Sequence, residues 1–192
     1  MAGKLFVISG PAGAGKGTLL GRAVERLDNA WVSISATTRA PRGSEQDGVE
    51  YFFLTKEQFE EKIAQGGFVE HAFVHGNYYG TPIQPIKEHI AAGDAVFLEI
   101  DVQGAFQVQD KIEGCKLIFI APPSMEILEQ RLRARATDSE DSIKLRLANA
   151  AGELAQAERY DRVIINDDLE KATNELVEVI QSYVGHNATN TI

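Results

Sequence analysis

A chain of 192 residues with 44% hydrophobic and 24% charged residues has room for one ordinary domain with its own core, and this balance excludes a disordered or fibrous protein. Its 19 Lys and Arg stand against 28 Asp and Glu, a formal charge of -9 without a basic run, which excludes a surface built to track nucleic acid; an anionic ligand would have to be met by a few local cations and backbone N–H groups. The single cysteine, Cys115, forms no intrachain disulfide, the first apolar run is too short for a signal peptide, and no stretch approaches the ~18 apolar residues of a membrane span, so the expected setting is the reducing cytoplasm.

In chain order, Leu5–Ser9 is a short apolar run that passes through a glycine-rich loop into a segment, 17–27, where Leu19, Leu20, Ala23, Val24 and Leu27 recur at helical spacing. Further buried-strand runs are expected at 95–100, 117–120 and 162–165, each bounded by Gly, Pro, Asp or Asn and separated by helical patterns. Such alternation predicts an α/β fold, a parallel sheet flanked by helices. Between 33 and 93 the texture becomes aromatic and alternating, at 51–54 and 68–74 around a helix-like 56–65, and is read as an inserted β-rich subdomain. A second insertion, 125–150, reads as a small helical lid: Arg131, Arg133, Arg135 and Arg146 interrupt a helix–loop–helix pattern. The core then comprises 1–32, 94–124 and 151–192, with a polar tail from 185 onward.

The loop Gly10-Pro11-Ala12-Gly13-Ala14-Gly15-Lys16-Gly17-Thr18, between a strand and a helix, has the spacing and context of a P-loop. Glycine lets successive N–H groups converge on phosphate oxygens, the helix N-terminus adds partial positive charge, and Lys16 brings a compact cation to the β/γ-phosphates. Gly17 stands where the usual pattern has a Ser or Thr hydroxyl for Mg²⁺, so the metal is expected to be held through phosphates and water, with Thr18, Glu99 and Asp101 as the nearest candidates and no direct protein ligand.

A P-loop by itself leaves GTPases, ATPases and many small-molecule kinases open. The runs Ser33-Ile34-Ser35-Ala36-Thr37-Thr38-Arg39-Ala40-Pro41-Arg42, Gly48-Val49-Glu50-Tyr51-Phe52-Phe53, Gly76-Asn77-Tyr78-Tyr79-Gly80-Thr81 and Asp101-Val102-Gln103-Gly104 closely resemble guanylate kinases in order and spacing, and the resemblance extends from the P-loop to Asn166-Asp167. It implies a P-loop nucleoside monophosphate kinase fold with a GMP-binding subdomain, acting on ATP and on GMP or dGMP. It further implies that Arg39, Arg42, Tyr51 and Tyr79 hold the acceptor phosphate, that Glu70 accepts from guanine N1–H and the 2-amino group, that Ser35 and Thr81 serve O6 or its neighbours, and that Asp101 contacts the amino group. Taken singly, Tyr51 and Tyr79 equally suit packing, and Glu70 a solvated strand carboxylate; the combination carries the reading.

By the same resemblance, Arg131, Arg135 and Arg146 close onto the donor phosphates and the transferring group, and Asn166 contacts the donor base. Ala134 and Ala136 flank Arg135 where the family commonly has glycine, implying a stiffer hinge. His71 and His75 sit four apart on a strand-like segment without a completing ligand set, so no zinc site is expected. Two other readings stay open: a related kinase acting on ribose bisphosphate or another nucleotide, and a catalytically silent binding module of the same fold. These residues leave the oligomeric state undetermined.

Overall fold

The computed structural model describes residues 3–74, 76–134 and 139–185; Arg135, Ala136 and His75 lie outside them. The chain runs β1 (Lys4–Ser9), α1 (Lys16–Val24), β2 (Ala30–Val32), β3 (Ala36–Thr37), β4 (Phe52–Phe53), α2 (Lys56–Ala64), β5 (Phe68–Val74), β6 (Asn77–Pro82), α3 (Ile83–Ala92), β7 (Ala95–Glu99), α4 (Val102–Lys111), β8 (Lys116–Ala121), α5 (Met125–Ala134), α6 (Glu140–Leu154), β9 (Arg162–Ile165) and α7 (Leu169–Gly185).

Five strands form one parallel sheet in the order β2-β7-β1-β8-β9. Both faces are covered, which is why β1, β7 and β8 are almost continuously apolar. Leu5, Val7, Val96, Leu98, Leu117 and Phe119 point to α3 and α4, while Phe6, Ile8, Phe97, Ile118 and Ile120 point to α1 and α7. Each such side chain, fully buried, contributes about 1.5–3 kcal/mol. The helix expected over 17–27 begins one residue earlier and ends at Val24, because Arg26 and Leu27 turn their N–H groups to Ala23 and Val24 in a tightened last turn.

The second sheet has the order β4-β3-β6-β5 and is mixed: β3 pairs β4 in parallel, whereas β6 is antiparallel to both β3 and β5. Its core is aromatic. Phe59 of α2 stacks on Phe68 at 4.2 Å and on Tyr78 at 5.2 Å, with Ala36, Phe52 and Leu54 packed around them. Helix α2 is fixed at its start by a reciprocal capping box between Thr55 and Gln58.

Sheet two is fastened to the central domain through α4. Gln107 accepts from the His71 N–H at 3.2 Å and donates to the His71 carbonyl at 3.3 Å, and Lys111 donates to the Phe68 carbonyl at 3.4 Å. These side chains stand in for a further strand along the free edge of β5. Helix α3 lies within the segment 33–93 yet packs Ile86 and Ile90 into the central core. Helices α5 and α6 form a third unit, in which Leu128, Leu132, Ile143 and Ala150 close on Met125 and Leu147.

Candidate active site

The chain places its chemistry at the carboxyl ends of β1 and β7, the position where parallel α/β sheets bind ligands. Gly10 leaves β1 with φ 144, and a Cβ there would stand 2.1 Å from the Ile120 carbonyl oxygen, so the loop can pass over β8 only as glycine. Lys16 folds over the loop it terminates, donating to the carbonyls of Gly10 at 2.6 Å and Pro11 at 3.2 Å. Its ammonium therefore sits against the backbone of the loop.

Glu99 ends β7 beside α1: its Oε2 lies 3.1 Å from where a Cβ on Gly17 would be. The hydroxyl absent at residue 17 is thus replaced in space by a carboxylate, a hard oxygen donor of the kind a hydrated divalent cation takes. Thr18 is exposed on the next position of α1. Asp101 caps α4, accepting from the Gly104 N–H through Oδ1 at 2.7 Å. One of its oxygens is thereby committed to the helix.

A cavity of about 280 Å³ opens between the sheets and brings together Ser35, Tyr51, Glu70, Tyr79, Glu99 and Asp101. Glu70 is only 7% exposed. Its Oε1 accepts from the Thr81 hydroxyl at 2.5 Å, and that hydroxyl stands 3.3 Å from Ser35 Oγ. Burial pushes the Glu70 carboxyl above its ordinary range; the Thr81 hydrogen bond opposes the shift, the Asp101 charge adds to it, and Lys111 pulls weakly the other way. Because Thr81 has a single proton and gives it to Glu70, its donor capacity is spent on the carboxylate. Thr81 thus links the Glu70 carboxylate to the Ser35 hydroxyl.

The arginines of the acceptor segment differ in setting. Arg39 is held by a two-pronged pair with Glu45, at 2.9 and 3.0 Å, and sits over the Tyr51 ring at 5.4 Å, while Tyr51 meets Tyr79 edge-on. Glu45 also accepts from the Arg42 backbone N–H at 2.7 Å, and the Arg42 side chain is exposed. Sequence reasoning misses Glu45: it lies six residues from Arg39 in a polar loop, and no periodicity singles it out.

On the opposite side of the P-loop, a cavity of about 350 Å³ is lined by Gly13, Gly15, Thr18, Arg131, Asn166 and Asp167. Arg131 donates to the Asn166 carbonyl at 2.8 Å, and the Asn166 side-chain amide donates to the Ala14 carbonyl at 2.8 Å from a buried position. The Asn166 amide is thus a brace under the P-loop. Arg146 is half-buried on α6 with its Nε 3.4 Å from Ser142 Oγ, and it lines neither cavity. Arg133, beside these, is taken up by Glu129 and Glu140. The last turn of α6 brings Glu153 into the wall of a larger cleft of about 680 Å³ together with Asp101. Burial raises the Glu153 carboxyl, with Lys16 opposing and Asp101 reinforcing.

Among the described residues no group of three or more His, Cys, Asp or Glu is arranged to hold a metal directly, and no helix is long and apolar enough to cross a membrane.

The family model described as guanylate kinase matches residues 2–183. A guanylate kinase of Fusobacterium nucleatum is 50% identical over 182 residues, covering 95% of this chain and 98% of its own. One from Synechocystis sp. is 50% identical over 178 residues, 93% of each. The crystal structure of guanylate kinase from Anaplasma phagocytophilum superposes with a TM-score of 0.76 at 34% identity, covering 94% of this chain and 86% of that one.

Proposed function

The chain belongs to the guanylate kinase family, and from that premise we propose that it transfers the γ-phosphoryl group of ATP to GMP, and to dGMP, giving ADP with GDP or dGDP in the cytoplasm. The observation that carries the reading is the buried Glu70 carboxylate with Asp101 beside it in the 280 Å³ cavity. A guanine edge brings N–H donors at N1 and N2 that such acceptors take; adenine has no donor at either place, and its N1 lone pair would face a carboxylate.

Binding positions the reaction. The P-loop N–H groups and Lys16 take the donor phosphates, Arg39, Arg42, Tyr51 and Tyr79 take the acceptor phosphate, and the acceptor oxygen, already ionised, needs no general base. Glu45 holds the Arg39 fork oriented over Tyr51. Arg131 on α5 and Arg146 on α6, with Arg135 by the family resemblance, would add positive charge to the transferring group on closure, which would also exclude water. Asn166 serves the donor side by holding the loop at Ala14. Glu99, Asp101 and Thr18 are the residues suited to order the water shell of a Mg²⁺ ion, which would supply charge neutralisation at the phosphates when bound. Small molecules suffice as partners, and no nucleic acid or membrane is required.

The test is an ADP-release assay with Mg-ATP against GMP, dGMP, AMP, CMP, UMP and ribose bisphosphate. Turnover with GMP and dGMP alone is expected. Turnover with ribose bisphosphate, or GMP binding without any phosphorylation, would replace this reading with one of its two rivals.

A pH dependence follows from the raised Glu70 carboxyl. Ionised Glu70 accepts two guanine hydrogen bonds and protonated Glu70 cannot, so kcat/KM for GMP should start to fall on acidification at a higher pH than an ordinary carboxylate would cause. The GMP phosphate titrates near pH ~6 in both proteins. The comparison with Glu70→Gln isolates the side chain: the acidic limb should lose its Glu70 component in that variant, and superimposable profiles would remove the assignment.

A further inference from the structure

Helix α4 approaches β5 with no side chain at its third residue. A Cβ on Gly104 would stand 3.0 Å from Glu70 Oε2, 3.3 Å from Ile100 Cδ1 and 3.4 Å from Asp101 Oδ1. The Gly104 N–H meanwhile donates to Asp101 Oδ1 at 2.7 Å. The residue one turn further on the same face is Gln107, whose amide grips β5 on both sides of His71, directly after Glu70. The residue after that on the face is Lys111, which reaches the Phe68 carbonyl. One helix face therefore fixes the height of β5 and lies directly under its carboxylate.

Backbone conformation does not require glycine at this place, since Gly104 is helical and has no positive φ. Alanine is the better helix former there. The glycine is explained by contact and not by conformation.

We propose that Gly104 is a specificity-determining position for the acceptor base: the bare backbone of α4 lets the Glu70 carboxylate settle where it can face a guanine edge, and a side chain at 104 displaces it. The inference rests on the guanine-reading role of Glu70 and deepens it. The fit is set from both sides, because Thr81 holds Oε1 at 2.5 Å and Gly104 leaves room for Oε2. A methyl group at 104 crowds the second oxygen while the first stays tethered, so the carboxylate has to give by a few tenths of an ångström about the Thr81 bond, which tilts its acceptor directions away from a guanine edge. Hydrogen bonds weaken steeply with such misalignment. Asp101, whose Oδ1 is bound to the same backbone, is pressed at the same time but keeps its helix cap.

Four proteins test this: wild type, Gly104→Ala, Glu70→Ala and the double variant. Calorimetric titration with GMP, steady-state kinetics with GMP and ATP varied separately, and thermal melting are run on each. Gly104→Ala is expected to weaken GMP binding and raise KM for GMP roughly tenfold, with KM for ATP unchanged and the melting temperature held or raised. In the Glu70→Ala background the same substitution should change GMP binding by less than about twofold, since no carboxylate remains to be displaced. Unchanged GMP binding in Gly104→Ala overturns the inference. So does an equal loss in both backgrounds, which would place the effect in Asp101 or in the helix, and so does a lowered melting temperature in both, which would place the conflict at Ile100. Gly104→Ser repeats the test with a second side chain. Absence of GMP turnover in wild type would overturn the proposed activity separately, and the binding comparison does not depend on turnover.

Discussion

Lys16→Ala should lower kcat about 10³-fold, close to 4 kcal/mol in the barrier, while leaving GMP affinity within a factor of two. The ammonium sits on the carbonyls of Gly10 and Pro11, on the donor side of the site, and the Glu70 cavity is lined by other elements. Charge that accumulates on the β- and γ-oxygens during transfer loses the compact cation of the loop. Stability should change little, because this lysine is half-buried and its ammonium donates to the Gly10 and Pro11 carbonyls of its own loop. Single-turnover kinetics together with GMP titration check both halves; a kcat within tenfold of wild type would remove Lys16 from the chemistry.

Glu70→Gln should have the second-largest effect, and in two opposite directions. Catalytic efficiency with GMP is expected to fall about 10²-fold and the preference over AMP to narrow, since an amide offers one acceptor where guanine presents two donors. Folding stability near neutral pH should rise. The folded-state carboxyl is shifted up by burial, so wild type gains stability as pH falls through that raised value and has the full benefit below the unfolded value; at pH 7 it carries an ionised, desolvated acid that glutamine removes. Melting curves of the two proteins should therefore separate at pH 7 and converge toward pH ~4. A variant less stable than wild type at pH 7 would show that the Thr81 hydrogen bond outweighs the burial cost.

The parts of the molecule readable from its residues are those governed by local rules. Strands β1, β7 and β8 announce themselves because burial on both faces leaves no polar alternation, and the P-loop because its spacing is dictated by phosphate geometry. Ser35, Tyr51, Glu70, Tyr79 and Asp101, expected on one acceptor site, line one cavity. The rest depends on contacts between distant segments. Strand β2 is three half-buried residues whose place is fixed only by pairing with β7, and β6 carries glycine and ends in proline. Thr81 reads as a base contact only through the family resemblance; that its hydroxyl donates to Glu70 depends on the register of β5 and β6. Asn166 reads as a donor-base contact by the same resemblance, and nothing local announces that its amide also reaches across 152 residues to the Ala14 carbonyl. Glu45 and Gly104 give no signal of their own, since one acts as partner to an arginine and the other by lacking a side chain.

The small apolar cluster of α5 and α6 has a floor, and the floor is the P-loop. A Cβ on Gly13 would come within 3.0 Å of both Leu128 Cδ1 and Leu132 Cδ2. The loop and α5 are thus neighbours in one packed layer. Any displacement of Gly13 on taking up a phosphate is felt by α5 as a change in its own packing, without a tether in between. In linkage terms, were α5 and α6 to close as a lid, the two equilibria would be one: a nucleotide would shift the helices by as much free energy as it distinguishes the loop geometries beneath them, and closure would return the same increment to nucleotide affinity.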